Sequence, residues 1–129
     1  MRRIVLLVAE DEVLNFMYIE ALLSKAEFLI HHAKNGREAV DLFLRHKDID
    51  LILMDLKMPE MTGFEATEAI RALNDRIPII AQTAYSYRRE ECLQSGFTDY
   101  LSKPFRGQQL KDMIHTYVGG PGEPEQELL

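Results

Sequence analysis

Residues 4–12 read Ile4-Val5-Leu6-Leu7-Val8-Ala9-Glu10-Asp11-Glu12, six apolar residues in a row ending on three consecutive carboxylates. A short, unbroken apolar run suits a strand covered on both faces, as in a parallel sheet. The preceding Met1-Arg2-Arg3 has the basic start of a secretory leader, but the run closes on acid rather than on a small-residue cleavage site. The reading is a strand over residues 3–9.

Outward from this strand the pattern repeats. Similar runs stand at Phe28–His31, Leu51–Met54, Ile77–Ala81 and, more weakly, Tyr100–Leu101. Between them lie stretches with helical spacing. Leu14, Met17, Tyr18, Ala21 and Leu22 share one face, Ala39, Val40, Phe43 and Leu44 a second, and Ala66, Ala69, Ile70 and Leu73 a third. Leu110, Met113, Ile114, Tyr117 and Val118 give the cleanest stripe, whereas the helix over Tyr87–Gln94 has a thin apolar face. Asn35-Gly36 and Thr62-Gly63 turn into helices, Ser95-Gly96 closes one, and Pro78 opens a strand. Strand–helix alternation repeated five times implies right-handed crossovers and one doubly wound, five-stranded parallel sheet with helices on both faces, an α/β fold. From Gly119 the chain reads Gly-Gly-Pro-Gly-Glu-Pro-Glu-Gln-Glu, so residues 3–118 are expected to fold and 119–129 to form a flexible, acidic Gly/Pro-rich tail.

Composition narrows the function. In 129 residues, 47% hydrophobic and 28% charged, 21 acidic side chains outnumber 15 basic ones, for a net charge of −6. Phosphate neutralisation needs basic patches, so nucleic acid is not an expected partner of this domain. No apolar run approaches the roughly 20 residues that cross a bilayer, and Cys92 is the single cysteine. A cytoplasmic chain without disulfide or thiolate metal cluster is expected, with Cys92 as a packing residue.

Ligands of open parallel sheets bind beyond the carboxyl ends of the strands. Here those ends carry Glu10, Asp11 and Glu12, then Asp55, then Gln82-Thr83, then Ser102-Lys103-Pro104. An isolated Asp after a strand usually serves as a turn or N-cap residue. If the first and third strands are neighbours, however, Glu10, Asp11 and Asp55 share one pocket, where each carboxylate disfavours ionisation of the next. A compensating cation is required, and two are at hand: a hard divalent metal such as Mg²⁺ and the ammonium of Lys103. With the Thr83 hydroxyl opposite, the set reads as a phosphoryl-transfer site whose nucleophile is Asp55.

Five stretches in order carry a resemblance to a known family: Ile4 to Glu12, Leu51-Ile52-Leu53-Met54-Asp55-Leu56-Lys57-Met58-Pro59, Met61-Thr62-Gly63, Ile79 to Ala84, and Asp99-Tyr100-Leu101-Ser102-Lys103-Pro104-Phe105. Together they resemble the receiver domain of two-component response regulators over residues 3 to about 118. The resemblance implies a flavodoxin-like sheet in the order 2-1-3-4-5 and a role in a phosphorelay. Asp55 would accept a phosphoryl group from a phosphohistidine on a histidine kinase or a histidine phosphotransfer protein. Mg²⁺ would be held by Asp11, Asp55 and the backbone carbonyl of Lys57, with Glu10 acting through water. Lys103 would pair with Asp55 or the phosphoryl oxygens, Thr83 would bond the phosphoryl group, and Tyr100 would turn from an outward to an inward rotamer. The Lys103-Pro104 bond is expected to be cis, and Gly63 to end the loop after Asp55 where a side chain would obstruct it.

Such a domain is not a turnover enzyme; it takes up and loses its own phosphoryl group. Glu10 stands where Asp is commonest in the family. Lys57 and Tyr85 flank the approach of an attacking water, which implies a fairly long-lived phosphoryl state. The added charge is expected to remodel the surface of the fourth helix, fifth strand and last helix, with Tyr87, Arg88, Tyr100, Gln108, Lys111 and His115 as candidates for the output face. The last helix also offers a surface for a homodimer. A haloacid-dehalogenase-like phosphohydrolase would need an acid/base Asp where Lys57 stands, and a flavin module would need a phosphate cradle where Glu10-Asp11-Glu12 stand. A degenerate receiver serving only protein contacts would lack some of the matched residues. The four histidines are not expected to form a metal cluster, since His31 and His32 alternate across a strand and His46 closes a helix. Phrases such as Glu91-Cys92-Leu93-Gln94-Ser95-Gly96 lean towards receivers attached to hybrid histidine kinases.

Overall fold

The computed structural model describes residues 2–84 and 89–119. Five strands, β1 (Ile4–Ala9), β2 (Phe28–Ala33), β3 (Leu51–Asp55), β4 (Ile79–Thr83) and β5 (Asp99–Ser102), alternate with helices α1 (Val13–Leu22), α2 (Gly36–Arg45), α3 (Gly63–Arg71), α4 (Arg89–Gln94) and α5 (Gly107–Val118). All strands pair in parallel in the order β2-β1-β3-β4-β5. The alternation predicts a doubly wound parallel sheet, and the flavodoxin-like strand order is the one the resemblance implies. Strand ends shift by one or two residues from the apolar runs, mostly because ladder pairing continues into polar residues such as His32, Asp55 and Thr83.

Alternation along the strands divides the core into two layers. Val5, Leu7, Ala9, Ile52, Met54, Ile79 and Ala81 pack on one face with Ala39, Ala66 and Ile70 of α2 and α3. Leu6, Val8, Leu51, Leu53 and Ile80 pack on the other with Ile19 of α1 and Leu110 and Ile114 of α5. The helix starts at the site are fixed by side-chain caps: Asn35 accepts from the Glu38 amide, and Thr62 and Glu65 form a reciprocal capping box.

Three expected core stripes differ in detail. In α1 the buried residue is Ile19, with Phe16, Leu22 and Leu23 packed around it, whereas Leu14 is 81% exposed and Met17 and Tyr18 also face outward. This helix is apolar on both sides, so spacing alone chose the wrong one. Leu44 and Leu73 are exposed, the latter because α3 has ended at Arg71. The expected helix over Tyr87–Gln94 is seen from Arg89; Tyr85, Tyr87, Arg88 and the tail residues 120–129 lie outside the described residues.

Candidate metal and phosphoryl-transfer site

The site forms where β1 and β3, adjacent and in register from Ala9 to Met54, deliver their next residues to one rim. Carboxylate oxygens of Glu10, Asp11 and Asp55 all lie within 4.8 Å of one another. Asp11 is exposed, Asp55 is buried and Glu10 is fully buried. Glu10 accepts hydrogen bonds from the Glu12 amide (3.1 Å) and the Asn15 side-chain amide. Its backbone carbonyl accepts from a His32 ring nitrogen at 2.8 Å, and the His32 ring stacks on Phe16 at 3.6 Å. The first acidic position is thereby fixed through both side chain and backbone.

Lys103, from the loop after β5, reaches back into this cluster. Its Nζ lies 3.1 Å from Asp55 Oδ2 and 3.2 Å from Glu10 Oε1. The other Asp55 oxygen accepts from the Lys57 amide at 3.3 Å. Burial, and then the negative charge of Glu10, push the Asp55 carboxyl up to about 6, against the opposing pull of Lys103. Burial alone would lower the Lys103 ammonium, but Asp55 and Glu10 outweigh it and raise its pKa, so the cation persists. Two or three carboxylates with one ammonium leave a net negative, oxygen-lined pocket. That donor set fits a hard, partly hydrated dication.

The loop after β3 is held by close backbone approach. A Cβ on Gly63 would stand 2.1 Å from the Asp55 carbonyl oxygen, and one on Gly36 would stand 2.2 Å from the Met61 carbonyl oxygen. The Gly63 amide donates to Leu56 O at 3.0 Å and the Gly36 amide to Met61 O at 3.1 Å. Two helix starts thus grip residues 56–61. An open depression of about 470 Å³, lined by Asp11, Leu56, Lys57, Met58, Pro59, Thr62 and Phe64, adjoins the carboxylates.

Thr83 ends β4 buried, and its carbonyl accepts from the Lys103 amide at 2.8 Å. Tyr100 is 6% exposed and packs in the α2–α3 layer, an inward position. The Lys103-Pro104 peptide is cis. Of the proposed output residues, Gln108 is exposed and bonds Asp112, and Lys111 is half-buried. His115 belongs elsewhere: it pairs with Glu27 at 2.7 Å and stacks near Phe28, towards β2 rather than β5. A residue of α5 that does reach the start of β5 is Tyr117, whose hydroxyl donates to Asp99, which also lies 3.6 Å from Arg89 of α4. Sequence spacing carried no signal for that cluster, because its members come from three elements.

The histidines also depart from expectation. His31 and His32 do point to opposite faces, but the His31 and His46 rings stack at 3.9 Å, and one donor atom of each lies within 4.8 Å of Asp48. The connection after α2 folds back beside β2, so residues distant in the chain meet.

A sequence profile described as the response regulator receiver domain matches residues 6–115. Hybrid signal transduction histidine kinase I of Dictyostelium discoideum is 41% identical over 122 residues, covering 87% of this chain and 7% of that protein. The chain therefore spans only a small fraction of such relatives. The receiver domain of sensor histidine kinase PA1611 from Pseudomonas aeruginosa, solved with a magnesium ion coordinated in its active-site cleft, superposes with a TM-score of 0.83 at 36% identity, covering 92% of this chain and all of that one. The receiver domain of Ssk1, solved with the histidine phosphotransfer protein Ypd1 of Saccharomyces cerevisiae, gives 0.83 at 31% identity, covering 90% and 89% of the two chains. With the profile spanning most of the chain and the fold shared throughout, the chain belongs to the response regulator receiver domain family.

Proposed function

We propose that this domain is the phosphoacceptor of a two-component phosphorelay, with Asp55 as the nucleophile. The observation that carries the reading is the convergence of Glu10, Asp11 and Asp55 within 4.8 Å, with the Lys103 ammonium between two of them. Asp11, Asp55 and the Lys57 carbonyl would hold Mg²⁺, with Glu10 bonding through water. When bound, the dication supplies electrostatic stabilisation to the phosphoryl oxygens.

An ionised Asp55 oxygen attacks the phosphorus of a partner's phosphohistidine. The P–O bond forms as the P–N bond breaks, and the departing imidazole nitrogen takes a proton from solvent to leave as neutral histidine. Lys103 stays protonated through the step and offsets the charge arriving beside Asp55. Thr83 would bond the phosphoryl group, and buried Tyr100 would follow it, with the α4–β5–α5 surface as the switched face. From their places in the sequence, two residues after Asp55 and after Thr83, Lys57 and Tyr85 would screen the phosphoryl group from water and lengthen its lifetime.

The donor is a phosphohistidine on a kinase or phosphotransfer protein. Support comes from the exposed apolar stripe of α1, Val13, Leu14 and Met17, which follows directly on Asp11 and gives a docking protein a dry surface beside the acceptor. We read residues 3–118 as the folding unit, 119–129 as a tail, and the domain as a non-turnover signalling module of the cytoplasm. Among the described residues no helix is long and apolar enough to cross a membrane.

Acetyl phosphate with Mg²⁺ tests the reading. One phosphoryl group per chain is expected by intact mass, absent in Asp55→Asn. Sustained phosphate release would indicate a haloacid-dehalogenase-like hydrolase instead, and no uptake a degenerate receiver.

A further inference from the structure

Outside the carboxylate pocket, one other group of three metal-ligating side chains converges among the described residues: His31 on β2, His46 capping the end of α2, and Asp48 in the connection to β3. Both rings are half-buried and Asp48 is exposed. His31 is fixed in the ladder opposite Leu7, and the His46 backbone amide donates to Leu42 O at 2.9 Å. Each imidazole thus hangs from an anchored backbone, while Asp48 closes from the solvent side.

The protonation state suits a ligand. Burial, and then the neighbouring His46, lower the pKa of His31, with Asp48 opposing. Rings stacked 3.9 Å apart at 18° repel each other when both are charged, which favours the neutral form that binds metal.

We propose that His31, His46 and Asp48 bind a borderline divalent transition cation of the Zn²⁺ class, at a site separate from the carboxylate pocket. Two imidazole nitrogens and one carboxylate oxygen form a softer donor set than the all-oxygen pocket on the carboxyl rim, and they discriminate against Mg²⁺. Three protein ligands leave a fourth tetrahedral position for water. At the usual Zn–N length of about 2.0–2.1 Å, two tetrahedral nitrogens stand about 3.4 Å apart. The donors, within 4.8 Å now, need close by little more than 1 Å. Nearly parallel rings aim their lone pairs side by side, so one ring must rotate about its own axis, which half-exposed side chains permit. The bound ion would fasten β2, an edge strand, to the α2–β3 connection.

The test uses the whole chain with Mg²⁺ in excess to occupy the carboxylate pocket. ZnCl₂ is titrated by calorimetry, and the histidine side-chain NMR signals are followed. One equivalent is expected to bind, moving the His31 and His46 signals and leaving His32 and His115 in place. His31→Phe and His46→Phe keep an aromatic ring at each position, which circular dichroism would confirm. Each should weaken binding at least about tenfold, since losing a direct ligand costs no less than losing the residue that orients one. Asp48→Asn should weaken it measurably. The proposal is overturned by no binding, by undiminished binding in both histidine variants, or by Zn²⁺ moving only His32, His115 or residues around Asp55.

Discussion

The ammonium of Lys103 stands 3.1 Å from Asp55 Oδ2, yet the Asp55 carboxyl is still pushed up to about 6. The cation beside it does not fully compensate for burial and for Glu10. In the absence of a dication this rim is therefore electrostatically strained, and that strain can be measured.

Asp55 binds its proton more tightly in the folded than in the unfolded chain, so its contribution to stability is full below about pH 4 and is lost as the pH rises through about 6. In EDTA, unfolding free energy should fall across that window by at most about 2–3 kcal/mol, at roughly 1.4 kcal/mol per unit. Asp55→Asn should remove this slope and be more stable than the native chain at pH 7. Urea titrations at pH 4, 5, 6 and 7 check both; a native profile no different from that of Asp55→Asn would sink the argument.

Lys103→Met leaves Glu10 and Asp55 facing each other without their shared cation. The expected loss is about 2–4 kcal/mol at pH 7, as for breaking a largely buried ion pair. Mg²⁺ should then raise the Tm of Lys103→Met by more than it raises that of the native protein, because the dication replaces a missing charge. Scanning calorimetry with and without MgCl₂ reads the difference.

Gln82 pairs opposite Asp55 and is fully buried, but neither atom of its side-chain amide has a hydrogen-bond partner among the described residues. Burying an unpaired amide costs about 1–3 kcal/mol. Gln82→Leu, which removes both polar atoms at similar volume, should raise the unfolding free energy by about 1–2 kcal/mol. A chemical denaturation curve shifted to lower denaturant would contradict this.

Leu14 is 81% exposed on the helix that follows Asp11. Leu14→Gln should slow transfer from a phosphohistidine protein while leaving labelling by acetyl phosphate near the native rate. Equal slowing with both donors would place the defect in chemistry rather than docking.

Lys57→Asn combined with Tyr85→Glu should shorten the phosphoryl lifetime, followed as loss of the phosphorylated mass after the donor is removed. An unchanged rate argues against these side chains as a screen against water.

The sheet was legible because its inner strands are buried on both faces, so Leu51 to Met54 and Ile77 to Ala81 stand out as unbroken apolar runs. The carboxylate rim was legible on condition that the first and third strands are neighbours, as they are, which brings Glu10, Asp11 and Asp55 to adjacent strand ends. Periodicity failed where a helix is apolar all round: in α1, nothing in the spacing distinguishes buried Ile19 from exposed Leu14. It also failed for contacts that depend on how connections fold back. His31 with His46, and Tyr117 with Asp99, join elements through side-chain reach, for which the chain has no fixed interval.

Asp99 holds three groups at once: the Tyr100 amide at 2.7 Å, the Arg89 guanidinium at 3.6 Å and the Tyr117 hydroxyl. The start of β5 is thus knotted to the beginning of one helix and the end of another. A single carboxylate therefore ties three elements together, and neutralising it in Asp99→Asn would loosen all three contacts at one stroke.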